Sequence, residues 1–194
     1  MKFIDLTTTK KTRYVLTENE KAVFFLHNRS GSFEFILAGK CAEAHIFALY
    51  EGTADETFSL DILQHHKAPG TVSTALTKSL LSNASSLAYE GRIRVEKGAT
   101  GSDARQENRN LLLSDAASAV SVPILEILTD DVACEHASAT GTLSEDALLY
   151  MGTRGLDRKQ AEALLADGFR NSFYEEIRKN GNFPEIDRYA NVNS

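Results

Sequence analysis

The chain has 194 residues, 42% of them hydrophobic and 25% charged, with a formal net charge of −6. That length suits one domain with a small appendage, and the apolar content gives no ground for global disorder. Acidic and basic residues are interspersed without a basic stripe, which argues against sequence-independent nucleic-acid binding, and no apolar run reaches the ~18 residues of a membrane span.

The opening stretch, MKFIDLTTTKKTRYVL, lacks the long apolar segment of a secretory signal, so the cytosol is the expected compartment. Up to residue 141, short runs rich in β-branched and aromatic residues alternate with turn residues. The runs are residues 22–26 (AVFFL), 33–37 (FEFIL), 44–50 (AHIFALY), 58–63 (FSLDIL), 92–95 and 122–128. FEFIL and FSLDIL alternate cleanly, which predicts strands with one buried and one wet face. From residue 71 onward, small and apolar residues recur in coil-like fashion at 71–76, 86–95, 111–113 and 120–127. Six coils of about 20 residues would stack to roughly 30 Å, but an antiparallel sandwich fits the spacing nearly as well.

At residue 142 the period becomes helical, which divides the chain into a β part, 1–141, and a helical part, 142–194. Thr142 and Glu145 have capping-box spacing ahead of a short helix through Leu148, Leu149 and Met151. Residues 152–155 read as a break, and Asp157 with Gln160 caps a second helix. Its stripe is Ala161, Leu164, Leu165, Gly168, Phe169, Phe173 and Ile177, and Asn180-Gly181 and Pro184 end it. Helices this short must dock on the β part or on a partner. The polar tail, 187–194, is expected to fray.

Complete catalytic constellations are absent. There is no GxxxxGK[ST] loop, no GxGxxG after a strand and no GxSxG elbow. Gly98 to Gly101 reads as a plain turn. Cys41 and Cys134 lie far apart, with no CxxC, and Cys41 reads as a small buried apolar residue. His65 and His66, adjacent on a strand, should point to opposite faces and so not share a metal. His27 and His45 sit in apolar runs as satisfied histidines. Asp130-Asp131 reads as a polar turn, with acid–base work as the alternative. Cys134 and His136, two apart, would share one strand face and offer a soft metal half a site.

The residues also carry a family resemblance. Pro123-x-Leu125-Glu126-Ile127, Asp130-Asp131-Val132-x-Cys134-x-His136-Ala137 and Tyr150-Met151-x-Thr153-Arg154-Gly155-Leu156 resemble the carboxy-terminal signature of the SufB/SufD family of iron–sulfur cluster assembly scaffolds. Upstream, His66-x-Ala68-Pro69, Gly91-x-Ile93-x-Val95 and the segment from Asp103 to Leu113 are similar as well, as are Ala161 and Gly168-Phe169 further on. The resemblance implies a right-handed parallel β-helix followed by a small helical domain, and no enzymatic activity of its own. It implies pairing with a SufB-like subunit or a second copy, docking of a SufC-like ATPase, and a transient iron–sulfur cluster shared with the partner. SufB-like chains carry a cluster-assembly cysteine where this one has Glu107-Asn108-Arg109, and a glutamate where it has Ala137, so the chain is SufD-like. Carried over, His136 serves cluster assembly at the subunit interface with Cys134 as a weaker companion. The ATPase would meet Arg154, Gly155, Leu156, Ala161, Leu164, Leu165 and Phe169. Family members run to about twice this length, with an amino-terminal helical region and further coils, which leaves any role residing there in doubt. The competing expectations are a β-solenoid enzyme, carbohydrate-active or acyl-transferring, using Asp130, Asp131 and His136, and a purely structural dimer partner.

Overall fold

The structure, a computed structural model, describes residues 1–190. Its strands are β1 (Lys2–Asp5), β2 (Arg13–Leu16), β3 (Lys21–His27), β4 (Gly31–Leu37), β5 (Glu43–Gly52), β6 (Thr57–His66), β7 (Val72–Leu81), β8 (Ser86–Val95), β9 (Ser102–Leu112), β10 (Ser118–Ile127) and β11 (Val132–Thr142). Helices α1 (Glu145–Thr153) and α2 (Arg158–Arg178), a 3-10 turn (Pro184–Ile186) and α3 (Asp187–Ala190) follow. Odd-numbered strands form a six-stranded sheet and even-numbered strands a five-stranded one, each ordered along the chain and parallel throughout. Successive strands therefore alternate between sheets, and the chain winds as a parallel β-helix. The antiparallel sandwich is ruled out.

The coils are not the uniform 20 residues that the spacing suggested. Lys2 pairs with Ala22 and Lys21 with Glu43, but Glu43 pairs with Val72, Val72 with Asp103 and Asp103 with Ala133. The added length goes into the strands, from four residues in β1 and β2 to ten or eleven from β5 onward. The solenoid therefore widens along its axis. Six strands at ~4.8 Å spacing stack over about 24 Å.

The run AVFFL is apolar throughout because both faces of β3 are covered. Ala22, Phe24 and Leu26 point between the sheets, where Tyr14, Phe33, Phe35, Ile46, Tyr50 and Leu60 join them. Val23 and Phe25 point outward and pack with Phe47, Leu49 and Leu76 against Phe173, Tyr174 and Ile177 of α2. Burying side chains of this size stabilises docking by about 1.5–3 kcal/mol each. Further along, the interior turns polar. His66, Thr71, Ser73, Thr77, Ser79, Ser102, Gln106, Asn108 and Asn110 are all buried.

One corner of the winding needs a left-handed backbone in coil after coil. Asn19, Cys41, Gly70 and Gly101 have φ of 57°, 57°, 65° and 68° ahead of β3, β5, β7 and β9. The Cys41 amide donates to the Pro69 carbonyl (3.2 Å) and the Gly70 amide to that of Thr100 (2.9 Å), stitching the corners together. This corner leaves Cys41 exposed, correcting its expected burial.

Thr142 does not cap α1. It stays in β11 beside Leu112, and Ser144 caps the helix instead, accepting from the Ala147 amide at 3.4 Å. Asp157 and Gln160 form the expected capping box on α2. The tail does not fray where it is described. Asp187–Ala190 are helical, and the Tyr189 hydroxyl donates to the Asp5 carboxylate at 2.8 Å. Residues 191–194 lie outside the described residues.

Candidate functional site

The wide end of the solenoid is open. Strands β10 and β11 are the last of their sheets, so each carries an unpaired edge, and among the described residues no further coil covers the interior between them. Val120 (60% exposed), Val122, Leu125, Ile127 and Leu128 remain accessible here.

The β11 register decides what faces the opening. Cys134, His136, Ser138 and Thr140 stand beside Ala104, Gln106, Asn108 and Asn110, the buried inward row of β9. Cys134 and His136 therefore share the inward face, as their spacing predicted. Cys134 packs onto Ile93, Val95, Ala99 and Ala104. Burial there, and then the Asp103 carboxylate, push its thiol above the ordinary range, so the protonated form is favoured. His136 is exposed at the mouth. Among the described residues, no three His, Cys, Asp or Glu side chains converge as metal ligands. Two donors stand at the opening, and any further ones must come from outside the described residues.

Behind the mouth lies an amide network. The Asn110 side-chain amide donates to Asn108 Oδ1 (2.7 Å) and Thr140 Oγ1 (3.0 Å), and the Ser79 hydroxyl donates to Asn110 Oδ1 (2.7 Å). Asn108 is itself buried within this network. Gln106 reaches across to the opposite sheet and donates to the Gly91 carbonyl at 3.2 Å. A Cβ at Gly91 would sit 2.0 Å from the Gln106 amide nitrogen, so glycine is needed for that reach.

The other candidates separate in space. His66 is fully buried, with Nδ1 2.7 Å from Thr71 Oγ1 and Nε2 2.8 Å from Ser73 Oγ. His65 points out, 3.0 Å from Glu96 and 3.7 Å from Glu34. His27 and His45 are held by Glu51 (3.0 Å) and Thr74 (2.8 Å). Asp130 and Asp131 form the turn between β10 and β11, where the Asp131 carbonyl accepts from the Gly101 amide at 2.7 Å.

The helical candidates are similarly divided. Leu164 is exposed, but Ala161 is fully buried and cannot meet a partner directly. Phe169 lies under Lys78, whose Nζ is 4.6 Å from its ring. Arg154 lies over the Tyr150 ring and donates to its hydroxyl at 3.0 Å, while Gly155 (φ +89°) turns the chain towards α2. Leu156 and Leu165 are half-buried. Sequence reasoning missed Leu149 (71% exposed) and Tyr150 (59%). The signal was there: Leu148-Leu149-Tyr150-Met151 is more consecutive apolar surface than one face of a nine-residue helix can bury.

An open-ended parallel β-helix with its helices packed on one sheet defines the structural class. Residues 21–169 match the family described as "SUF system FeS cluster assembly, SufBD core domain". The chain is 37% identical over 147 residues to an iron-sulfur cluster assembly SufBD family protein of Mycobacterium bovis, covering 72% of this chain and 37% of that one. A Mycobacterium leprae SufBD family protein is 32% identical over 148 residues (72% and 38%), and one from Staphylococcus epidermidis 25% over 142 (73% and 30%). The chain belongs to the SufBD family of the SUF iron–sulfur cluster assembly system. It matches 30–38% of the length of these relatives. No helix among the described residues is long and apolar enough to cross a membrane.

Proposed function

We propose that this chain is a SufD-like, non-enzymatic scaffold subunit that presents the open end of its solenoid to a SufB-like partner in the cytosol. The observation that carries this reading is the wide end itself. Two free parallel edges and accessible Val122, Leu125 and Ile127 surround an inward face bearing Cys134 and His136. A partner solenoid seated there would continue both sheets and bury the apolar rim. It would also bring its own ligands to a nascent cluster, which the two sites would hold transiently as cargo. His136 is the accessible donor and Cys134 the recessed one. The helical part, 142–194, would take a SufC-like ATPase through Leu149, Tyr150 and Leu164, with Arg154, Gly155, Leu156 and Leu165 beside them.

Co-expression with a SufB-like chain and a SufC-like ATPase tests this directly. The three should co-purify, and His136→Ala should lower iron and visible absorbance in the anaerobic complex without changing its assembly. Failure to bind either folded partner refutes the scaffold reading. Unchanged iron in His136→Ala removes His136 from the site and favours a purely structural partner.

A further inference from the structure

Helix α2 is continuous over 21 residues, but its two halves live in different surroundings. The second half is fastened to the six-stranded sheet. Phe173, Tyr174 and Ile177 are buried in the cluster on its outer face, with Phe169 at the rim. Two polar contacts add to this at the near end of that half. Lys78, only 2% exposed, reaches from β7 to the Phe169 carbonyl (3.2 Å) and the Ser172 hydroxyl (2.6 Å). Arg170 donates to Glu51 of β5 at 2.6 Å, and Glu51 also holds His27 at 3.0 Å.

The first half reaches that cluster only through Ala166, half-buried at its rim two residues before Gly168. Its one buried residue, Ala161, lies outside the cluster that grips the second half, and Leu164 is 53% exposed. It is joined instead to α1: Arg158 near its start forms an ion pair with Glu145 at 2.8 Å. Between the halves, at the midpoint of the helix, stands Gly168. A Cβ there would meet nothing within 4 Å, so neither packing nor a left-handed backbone explains the glycine. In a helix interior it costs about 1 kcal/mol against alanine. A weak point between a firmly anchored half and one held only near its last turn is where a helix bends most cheaply.

We propose that Gly168 is a hinge, about which α1 and the first half of α2 swing as one arm while Lys78 and Glu51 hold the second half on the solenoid. The arm carries the exposed Leu149, Tyr150 and Leu164, so whatever grips those residues also selects the bend. The hinge is a property of the chain alone and does not depend on the scaffold reading.

Two measurements on the full chain test it. In native-state hydrogen exchange, the amides of residues 169–172, whose helical bonds span Gly168, should exchange faster than those of 174–177. Gly168→Ala should slow the first group alone, by about fivefold. Spin labels on α1 and on the five-stranded sheet should give a broad distance distribution that narrows in Gly168→Ala. In Glu51→Gln, which loosens Arg170, fast exchange should extend to residue 173. Uniform protection across α2, or a distance distribution that Gly168→Ala leaves unchanged, overturns the hinge.

Discussion

His66 shows how a residue's neighbours fix its chemistry. Enclosed in the solenoid and bonded on both ring nitrogens by hydroxyls, it is kept neutral. Burial, reinforced by His65 and opposed by Asp103, pushes its imidazole down to about 4. The unfolded chain takes up that proton below its ordinary value of 6.5, and the folded chain only near 4. Stability is therefore fully present above pH 6.5 and is lost as pH falls towards 4. The loss through this one group is about 3 kcal/mol. Urea unfolding at pH 7 and pH 4 should show that fall in the native chain and a shallower one in His66→Gln. Alternation alone placed His65 and His66 on opposite faces. It could not say that the inward one would find two hydroxyls, because Thr71 and Ser73 come from the following turn and strand.

Among the elements, strands with an apolar inward row were legible and those with a polar one were not. Strand β4 alternates against the aromatic interior and is plain in FEFIL. Strand β9 alternates just as strictly, but its inward residues are Ser102, Ala104, Gln106, Asn108 and Asn110, so hydrophobicity gives no period to read. Strand β11 was obscured by its exposure at the open end, and β1 and β2 by having four residues each. The helix stripe has one face in the sequence pattern because period cannot reveal where its support stops. A different backbone constraint acts at the first tight coil. A Cβ at Gly39 would lie 1.9 Å from the Glu18 nitrogen and 2.2 Å from the Thr17 carbonyl carbon. Both are backbone atoms, which cannot step aside as a side chain does. Gly39→Ala should cost about 3 kcal/mol in chemical denaturation. Gly141→Ala on β11, where nothing lies within 4 Å, should stay within about 0.5 kcal/mol of the native chain.

At the scale of the molecule, the candidate donors were legible as a strand pair, but their place at an open end was not. That position depends on where the winding stops, which no local pattern encodes. Leu125, on the exposed rim, separates folding from association. Leu125→Lys should leave stability within about 0.5 kcal/mol, since the residue is already 39% exposed, yet abolish co-elution with a SufB-like partner on size exclusion. Retained co-elution would place the contact elsewhere on the molecule.

The widening of the solenoid bears on how copies can assemble. A stack of like solenoids joined front to back would have no natural end, and such contacts build fibres. Among the described strands the first have four residues and the last ten or eleven, so one such edge laid on the other would leave most of the broad edge unpaired. Wherever these two edges meet, the mismatch in strand length works against continued stacking.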